Sequence, residues 1–327
     1  MGQLTFQEAS AKLRNQDNAC DVVSRLENPT DLSVGQGHPD SWSQVSGNSP
    51  TDPVGIFVGL TTFDVIHYSE RFPEPDEKLQ ASGRWMGVGG PAANAAATFA
   101  ALGGKAIFLT ALGNGPLAQL ANEELSSIGV RVVNLADSGD LPTSSVVVNA
   151  EGQRTVVSLN ARGFDQSLLA EKFSPLAERP SVIGLDAHYP GLAQAVLRQY
   201  QRTVPIVLDP GSKKPHLADL MKESSHIIAS RALDPKSDTR TLLSRIMGYK
   251  ATLAAVSAGP EPLIAAIEGE VKTLSVPQVS SLDTLGAGDV LHGAYAFYIA
   301  TGSPILYALE QAISVAAQSC ERRGPRL

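Results

Sequence analysis

Cysteine is scarce in this chain: Cys20 and Cys320 stand near opposite ends of 327 residues. Two thiols so placed exclude a disulfide framework and point to a reducing compartment. Positive charge is also in deficit, with 26 Lys and Arg against 33 Asp and Glu and a formal net charge of −7. A general nucleic-acid binder presents a basic face, so that class is disfavoured. Any polyanionic ligand must then be held by local amides or a metal ion. No apolar run reaches the roughly 18 residues of a membrane span. The N-terminus carries Glu8, Asp17 and Asp21 instead of a signal-peptide core, and Phe6 stands where a myristoylation signal needs Ser or Thr. The expectation is a cytoplasmic protein without membrane or nucleic-acid partners.

Several catalytic signatures are missing as well. Gly104-Lys105 is followed by Ala106, and position 99 is Phe, so there is no Walker A loop. No H-E-x-x-H helix, paired C-x-x-C or G-x-S-x-G elbow occurs, which leaves zinc and serine hydrolases unsupported. Gly87 to Ala92 matches G-x-G-x-x-A, but the residues before it make a poor buried strand. No acidic residue lies about 20 positions on to hold a ribose. The better reading is a close backbone approach to a small polar ligand, with Asn94 on the first turn of the helix that Pro91 opens.

What is present is concentrated in Ser281 to Ala294, a glycine-bearing turn running into an apolar helix. Small residues let the N–H groups of Gly286, Ala287 and Gly288 converge, and the helix N-terminus adds partial positive charge there. That point suits a phosphate. A carboxylate beside it, Asp289, fits a base that takes the proton of an attacking hydroxyl. The alternatives are a turn that merely packs a buried helix with Asp289 as its cap, and Asp283 as a cap of the turn. His292, three residues on and on the same helix face, reads as a packed histidine.

The apolar share of 43% supports a substantial core. Residues 1–52 are polar and broken by Gly and Pro, and are read as a flexible extension with a short helix over Phe6 to Leu26. From Val54 onward, short apolar runs (54–60, 106–110, 181–185, 205–209, 226–229 and 251–256) alternate with helical patterns (91–102, 117–128, 192–200 and 242–247). This predicts an α/β fold, a parallel sheet covered on both sides. Thr143 to Asn149 and Arg154 to Asn160 read as a β-hairpin that joins residues 64–88 in a small second sheet. That sheet is either a lid over the chemistry or an edge decoration. Its exposed edges would allow a homodimer through the lid.

These motifs resemble those of the ribokinase-like, or PfkB, carbohydrate kinases. Asp283 to Asp289 (Asp-Thr-Leu-Gly-Ala-Gly-Asp) is similar to their C-terminal signature. Gly89-Gly90-Pro91-Ala92-Ala93-Asn94-Ala95-Ala96, followed by Leu102-Gly103, is similar to the N-terminal one. The resemblance covers about residues 54–322 and lies nearest the ketohexokinase and sulfofructose kinase branches. It implies a Rossmann-like three-layer kinase domain over 53–327 with a small β lid, moving the γ-phosphate of ATP to a sugar hydroxyl. By matching position, Asp289 is the base, and Gly286, Ala287 and Gly288 form the anion hole. Asp64, Gly89, Gly90 and Asn94 hold the sugar, while Ser257, Gly259 and Thr284 bind the nucleotide. ATP with Mg2+ is the implied cofactor, with K+ as a further ion. Departures are the absent Asn-x-x-Glu at 230–233, with Asp234 displaced by one, and Pro262 where the nucleotide loop has glycine. The chain also stops at Leu327, where relatives usually continue. A nucleoside kinase and a kinase-fold binding protein are the two alternatives.

Overall fold

The computed structural model describes residues 52–327 apart from 162, 201 and 202. The Phe6–Leu26 helix and the polar extension through residue 51 lie outside the described residues. In chain order, β1 (Val54–Val58) is followed by β2 (Thr62–Tyr68), β3 (Gly83–Gly89), α1 (Pro91–Ala101), β4 (Lys105–Thr110), α2 (Pro116–Ser127) and β5 (Val130–Asn134). The expected hairpin follows as β6 (Thr143–Val148) and β7 (Arg154–Ser158). Next come α3 (Gln166–Lys172), β8 (Val182–Leu185), α4 (Pro190–Tyr200), β9 (Ile206–Leu208), α5 (Leu217–Glu223) and β10 (His226–Ser230). The chain completes the body with α6 (Thr239–Met247), β11 (Leu253–Ala258), β12 (Glu261–Ile267), β13 (Glu270–Leu274), α7 (Ala287–Ala300) and α8 (Ile305–Ser319).

Nine strands form one sheet in the order β13-β12-β11-β10-β9-β8-β1-β4-β5, parallel from β11 to β5 and antiparallel at β12 and β13. The apolar runs are continuous because both faces are covered. Phe57 faces a core with the helices α1, α2, α7 and α8. Its neighbours Ile56 and Val58 face the opposite core, which α4, α5 and α6 cover. The three-layer body is therefore as the sequence implied. The chain leaves β1 toward β4 on one side and returns to β8 on the other, so β1 is a topological switch point. The crevice outside the carboxyl ends of such strands is where ligands bind in open α/β sheets.

The second sheet has the order β3-β2-β6-β7, with β2 and β6 parallel and the outer pairs antiparallel. Its small core is Ile66, Tyr68, Val146 and Val148, against which Trp85 and Leu285 pack. The strands β5, β12 and β13 were not foreseen. β13 is almost wholly exposed and β5 is mixed in burial, so neither carries a buried-strand signature. Pro262, read as part of a nucleotide loop, lies in β12, because Gly259 turns the chain tightly between β11 and β12.

The helices α1 and α7 approach closely because α1 is mostly alanine on its buried side. Gly293 completes the contact, since a Cβ there would run into the carbonyl oxygen of Ala95. Replacing it with a larger residue forces the two helices apart. Gly293→Val is expected to lower unfolding free energy by about 1–3 kcal/mol, the usual cost of overpacking a core. Urea denaturation checks this; an unchanged midpoint would show that the helices do not meet there.

Candidate active site

The glycine turn enters α7 in a fixed way. Asp283 is buried, and its carboxylate accepts hydrogen bonds from Leu285 N at 2.9 Å, Tyr68 Oη at 2.8 Å and Gly324 N at 3.1 Å. Asp283 is thus a structural clamp on the turn, as one of the two readings of it required. Gly286 has φ 77°, a left-handed conformation that glycine adopts freely, and serves as the residue before the first helical turn. The N–H groups at the start of a helix have no partner within it. Ala287 N reaches back to Thr284 O at 3.4 Å, a long bond, while Gly288 opens onto free space.

Asp289 follows at the third position of α7. Its Oδ2 accepts a hydrogen bond from Asn94 Nδ2 at 2.8 Å, which joins the two motifs across the cleft. Burial among protein atoms raises its carboxyl to about 7, with the nearby Asp209 carboxylate adding to the rise. The Asn94 hydrogen bond and His292 work the other way without reversing it. His292 itself is packed: its Nδ1 lies 2.7 Å from Gly288 O and its Nε2 2.8 Å from Ile228 O.

Two further carboxylates stand at the carboxyl ends of β8 and β9, where the switch-point crevice opens. Asp186 is fully buried and accepts from Leu60 N at 2.8 Å, His188 N at 2.9 Å and Ala92 N at 3.2 Å. Burial would raise its pKa, but the adjoining His188 and these amides hold it below the ordinary value. Asp209 is partly exposed and accepts from Gly211 N at 2.8 Å. Both charges act on Lys214, which burial nonetheless depresses. Sequence reasoning missed Asp186, Asp209 and Lys214. The available signal was a buried strand ending in Asp209-Pro210-Gly211-Ser212-Lys213-Lys214, polar residues at the mouth of a sheet.

On the acceptor side, Asp64 is buried on β2 and accepts from Thr62 Oγ1 at 2.7 Å. Burial raises its pKa, against the pull of Thr62, Ser144 and Arg326. Gly89 lies against it so tightly that a Cβ would strike the Asp64 carboxylate. Gly90, at φ 102°, ends the strand and turns the chain into α1. Glu124 was also missed: it accepts from Val88 N at 3.1 Å and pairs with Arg326 Nη1 at 2.9 Å. Arg326 in turn donates through Nε to Asn94 Oδ1 at 3.1 Å and through Nη2 to Val88 O.

Asp289, Asn94, Asp64, Gly89, Gly90 and the Gly286–Gly288 turn are therefore brought into one group by these contacts. Thr284 lies at its rim, where Oγ1 accepts from Arg154 Nη1 of the small sheet at 2.8 Å. Ser257 and Gly259 are set apart from this group. They sit at the end of β11, beside an open cavity of about 490 Å3 lined by Arg231, Thr239, Arg240, Ala258 and Glu261, among others. That volume is in the range of small-molecule sites, about 300–1,000 Å3. Asp234, near the position of the absent acidic motif, is engaged by Lys213, Arg245 and Ser237, which hold its carboxyl far down. Among the described residues no cluster of three or more His, Cys, Asp or Glu is arranged to hold a metal ion, and no helix is long and apolar enough to cross a membrane.

Comparison with known proteins gives the family and the fold. Residues 56–327 match the pfkB family of carbohydrate kinases. Mouse ketohexokinase is 26% identical over 290 residues, 82% of this chain and 96% of that protein. Mouse ribokinase is 25% identical over 267 residues, 75% of this chain and 81% of that protein. The structure of Arabidopsis thaliana ribokinase complexed with ribose and ATP superposes with a TM-score of 0.63 at 20% identity, covering 84% of this chain and 94% of that one.

The raised Asp289 carboxyl has a consequence for stability. The folded protein keeps this proton up to about pH 7, whereas the unfolded chain releases it near 3.8. The stabilisation is complete below the lower value and lost as pH rises through the upper one. Asp289→Asn never ionises, so the variant is expected to melt above the wild type at pH 8, with the gap narrowing toward pH 4. Thermal melts across that range check it; a gap independent of pH would contradict the assignment.

Proposed function

This chain belongs to the pfkB family of carbohydrate kinases, and we propose that it phosphorylates a hydroxyl of a small furanose or ketose sugar with Asp289 as base. The observation that carries this reading is the Asp289 carboxyl, raised to about 7, hydrogen-bonded to Asn94 and set beside the opening turn of α7. A base is most effective when its pKa lies near the working pH. Asp289 takes the proton of the acceptor hydroxyl, the oxygen attacks the γ-phosphorus, and the bond to the bridging oxygen of ADP breaks. The N–H groups of Gly286, Ala287 and Gly288 face the charge on the transferred group. Lys214, near Asp186 and Asp209, offsets carboxylates that would otherwise repel the nucleotide.

Asp64, Asn94, Gly89 and Gly90 supply carboxylate, amide and main-chain groups suited to sugar hydroxyls. The names of the relatives, ribokinase and ketohexokinase, favour a furanose or ketose. We assign the nucleotide to the cavity beside Ser257 and Gly259, with Thr284 at the other end of its path. Mg2+ would neutralise phosphate charge when bound. The residues here do not form a protein cage for it, because the one acid near the expected place, Asp234, is already paired with two cations. A hard ion carried mainly by phosphates and water needs no such cage. K+ is tested by exchange for Na+ in the same assay.

The small sheet is read as a lid, since Arg154 on β7 reaches Thr284 at the turn. Val157 on β7 is 70% exposed, with Val156 and Leu159 also exposed, which suits a homodimer through the lid. Val157→Asp is expected to shift the protein from dimer to monomer in sedimentation; an unchanged mass would remove this reading.

The enzymatic test is an ADP-release screen over hexoses, pentoses, sulfonated sugars and nucleosides. Asp289→Asn is expected to reduce kcat at least about a hundredfold while leaving ATP affinity nearly intact. In the wild type, kcat/KM rises with pH through about 7 and then levels, because only the ionised carboxylate accepts a proton. An unchanged kcat in the variant eliminates the base assignment. Turnover confined to nucleosides selects the nucleoside kinase alternative. A folded protein that releases no ADP above the rate without protein, whatever the acceptor, would favour a fold kept for binding alone.

A further inference from the structure

The acceptor cleft is not lined by the kinase motifs alone. After α8 the chain turns back, and Cys320 O accepts hydrogen bonds from Leu282 N at 2.7 Å and Asp283 N at 3.2 Å. From this anchor, residues 323–326 run between the small sheet and the glycine turn. The Arg323 guanidinium lies 4.7 Å over the Tyr68 ring. Gly324 is buried, donates its N–H to Asp283, and lies against the Trp85 indole so closely that a Cβ would strike it. The Pro325 carbonyl covers the α-carbon of Gly286, on the face where the proposed anion hole begins. The Arg326 side chain is only 14% exposed, bonded to Asn94, Val88 O and Glu124.

Every one of these partners has another claim on it. Asn94 is the amide that also holds the base Asp289. Val88 precedes the Gly89-Gly90 pair, and the Arg326 charge is felt by Asp64. Gly286 starts the anion hole. A sugar that uses Asn94 and Asp64 must compete with a guanidinium, and a phosphoryl group that approaches Gly286 must compete with a carbonyl oxygen. Both contacts cannot persist while substrates are bound in the manner proposed above.

We propose that residues 323–326 are an intrasteric plug: this chain's own Arg-Gly-Pro-Arg segment occupies the acceptor site and must withdraw before a sugar can bind. The proposal rests on the acceptor site assigned under Proposed function. Arg326 is held by polar partners, with Glu124 one-third exposed, while Gly324 and Pro325 are buried and Leu327 packs against the larger core, so withdrawal also breaks the Gly324–Asp283 bond and uncovers apolar surface. The consequence is competitive. If the binding-competent form is a fraction of the population, apparent affinity for the acceptor falls by that fraction, so a plug docked nine-tenths of the time raises KM about tenfold.

The test uses the full chain with Trp42 replaced by Phe, which leaves Trp85 as the single tryptophan. Arg326→Ala removes the guanidinium, and Gly324→Val forces the segment off Trp85 by a different contact. Both variants are expected to change Trp85 emission and to lower the acceptor KM about fivefold or more with the KM for ATP unchanged. Adding acceptor to the parent should move its emission toward that of the variants. Unaltered emission and KM in both variants would overturn the proposal, as would a raised acceptor KM in both, which would make the segment part of the working site. If neither parent nor variants turn over any acceptor, the kinase reading fails instead. The Trp85 titration with the same sugars then decides the plug: tighter binding by the variants supports it, and equal binding removes it.

Discussion

The arrangement depends on how one turn is held at the start of α7. Asp283 cannot leave its place without abandoning three hydrogen bonds, two of them from distant parts of the chain. That clamp fixes where Gly286 reverses the backbone, and the reversal sets the direction of α7. From there the position of Asp289 follows from helix geometry, and the bond to Asn94 follows from the close packing of α1 against α7. The site is thus anchored to the body through packing. The small residues of both helices are what allow a carboxylate and an amide from opposite ends of the chain to meet.

The electrostatics of the site divide two carboxylates by their surroundings. Asp186 is satisfied by main-chain amides and His188, so it stays ionised despite complete burial. Asp289 is desolvated by burial and feels Asp209, and its one side-chain donor does not make up for this, so its ionisation is disfavoured. Environments that push the pKa values of neighbouring acids apart are what separate a structural anion from a group that exchanges protons near neutrality. The net charge of −7 makes the same point on a larger scale. A nucleotide bound as proposed would meet an acidic protein and be drawn in by oriented N–H groups and a few lysines and arginines, and not by the general field.

The small sheet and the segment after α8 bear on the same turn from two directions. Arg154 reaches Thr284 from the sheet, while Gly324 and Pro325 press on Asp283 and Gly286 from the other side. Movement of either element is therefore transmitted to the residues before Asp289. Tyr68 is the shared support, since its hydroxyl bonds Asp283 and its ring lies under Arg323.

By itself the sequence determined the alternation of buried strands and helices, because continuous apolar runs are required wherever a parallel strand is covered on both faces. It also determined the glycine turn and the proline-opened alanine helix, whose residue types admit few other conformations. The edge strands β5 and β13 escaped notice because strands with wet faces carry little periodic signal, and β12 because Pro262 was read as part of a loop. Only the tertiary structure decided that Asp186, Asp209, Glu124 and Lys214 border the cleft, since each is an ordinary polar residue until the strand order brings it to the carboxyl edge of the sheet. It alone decided that Arg326 lies beside Asn94, 232 residues away in sequence. A charge's surroundings are set by chain segments that no local pattern relates.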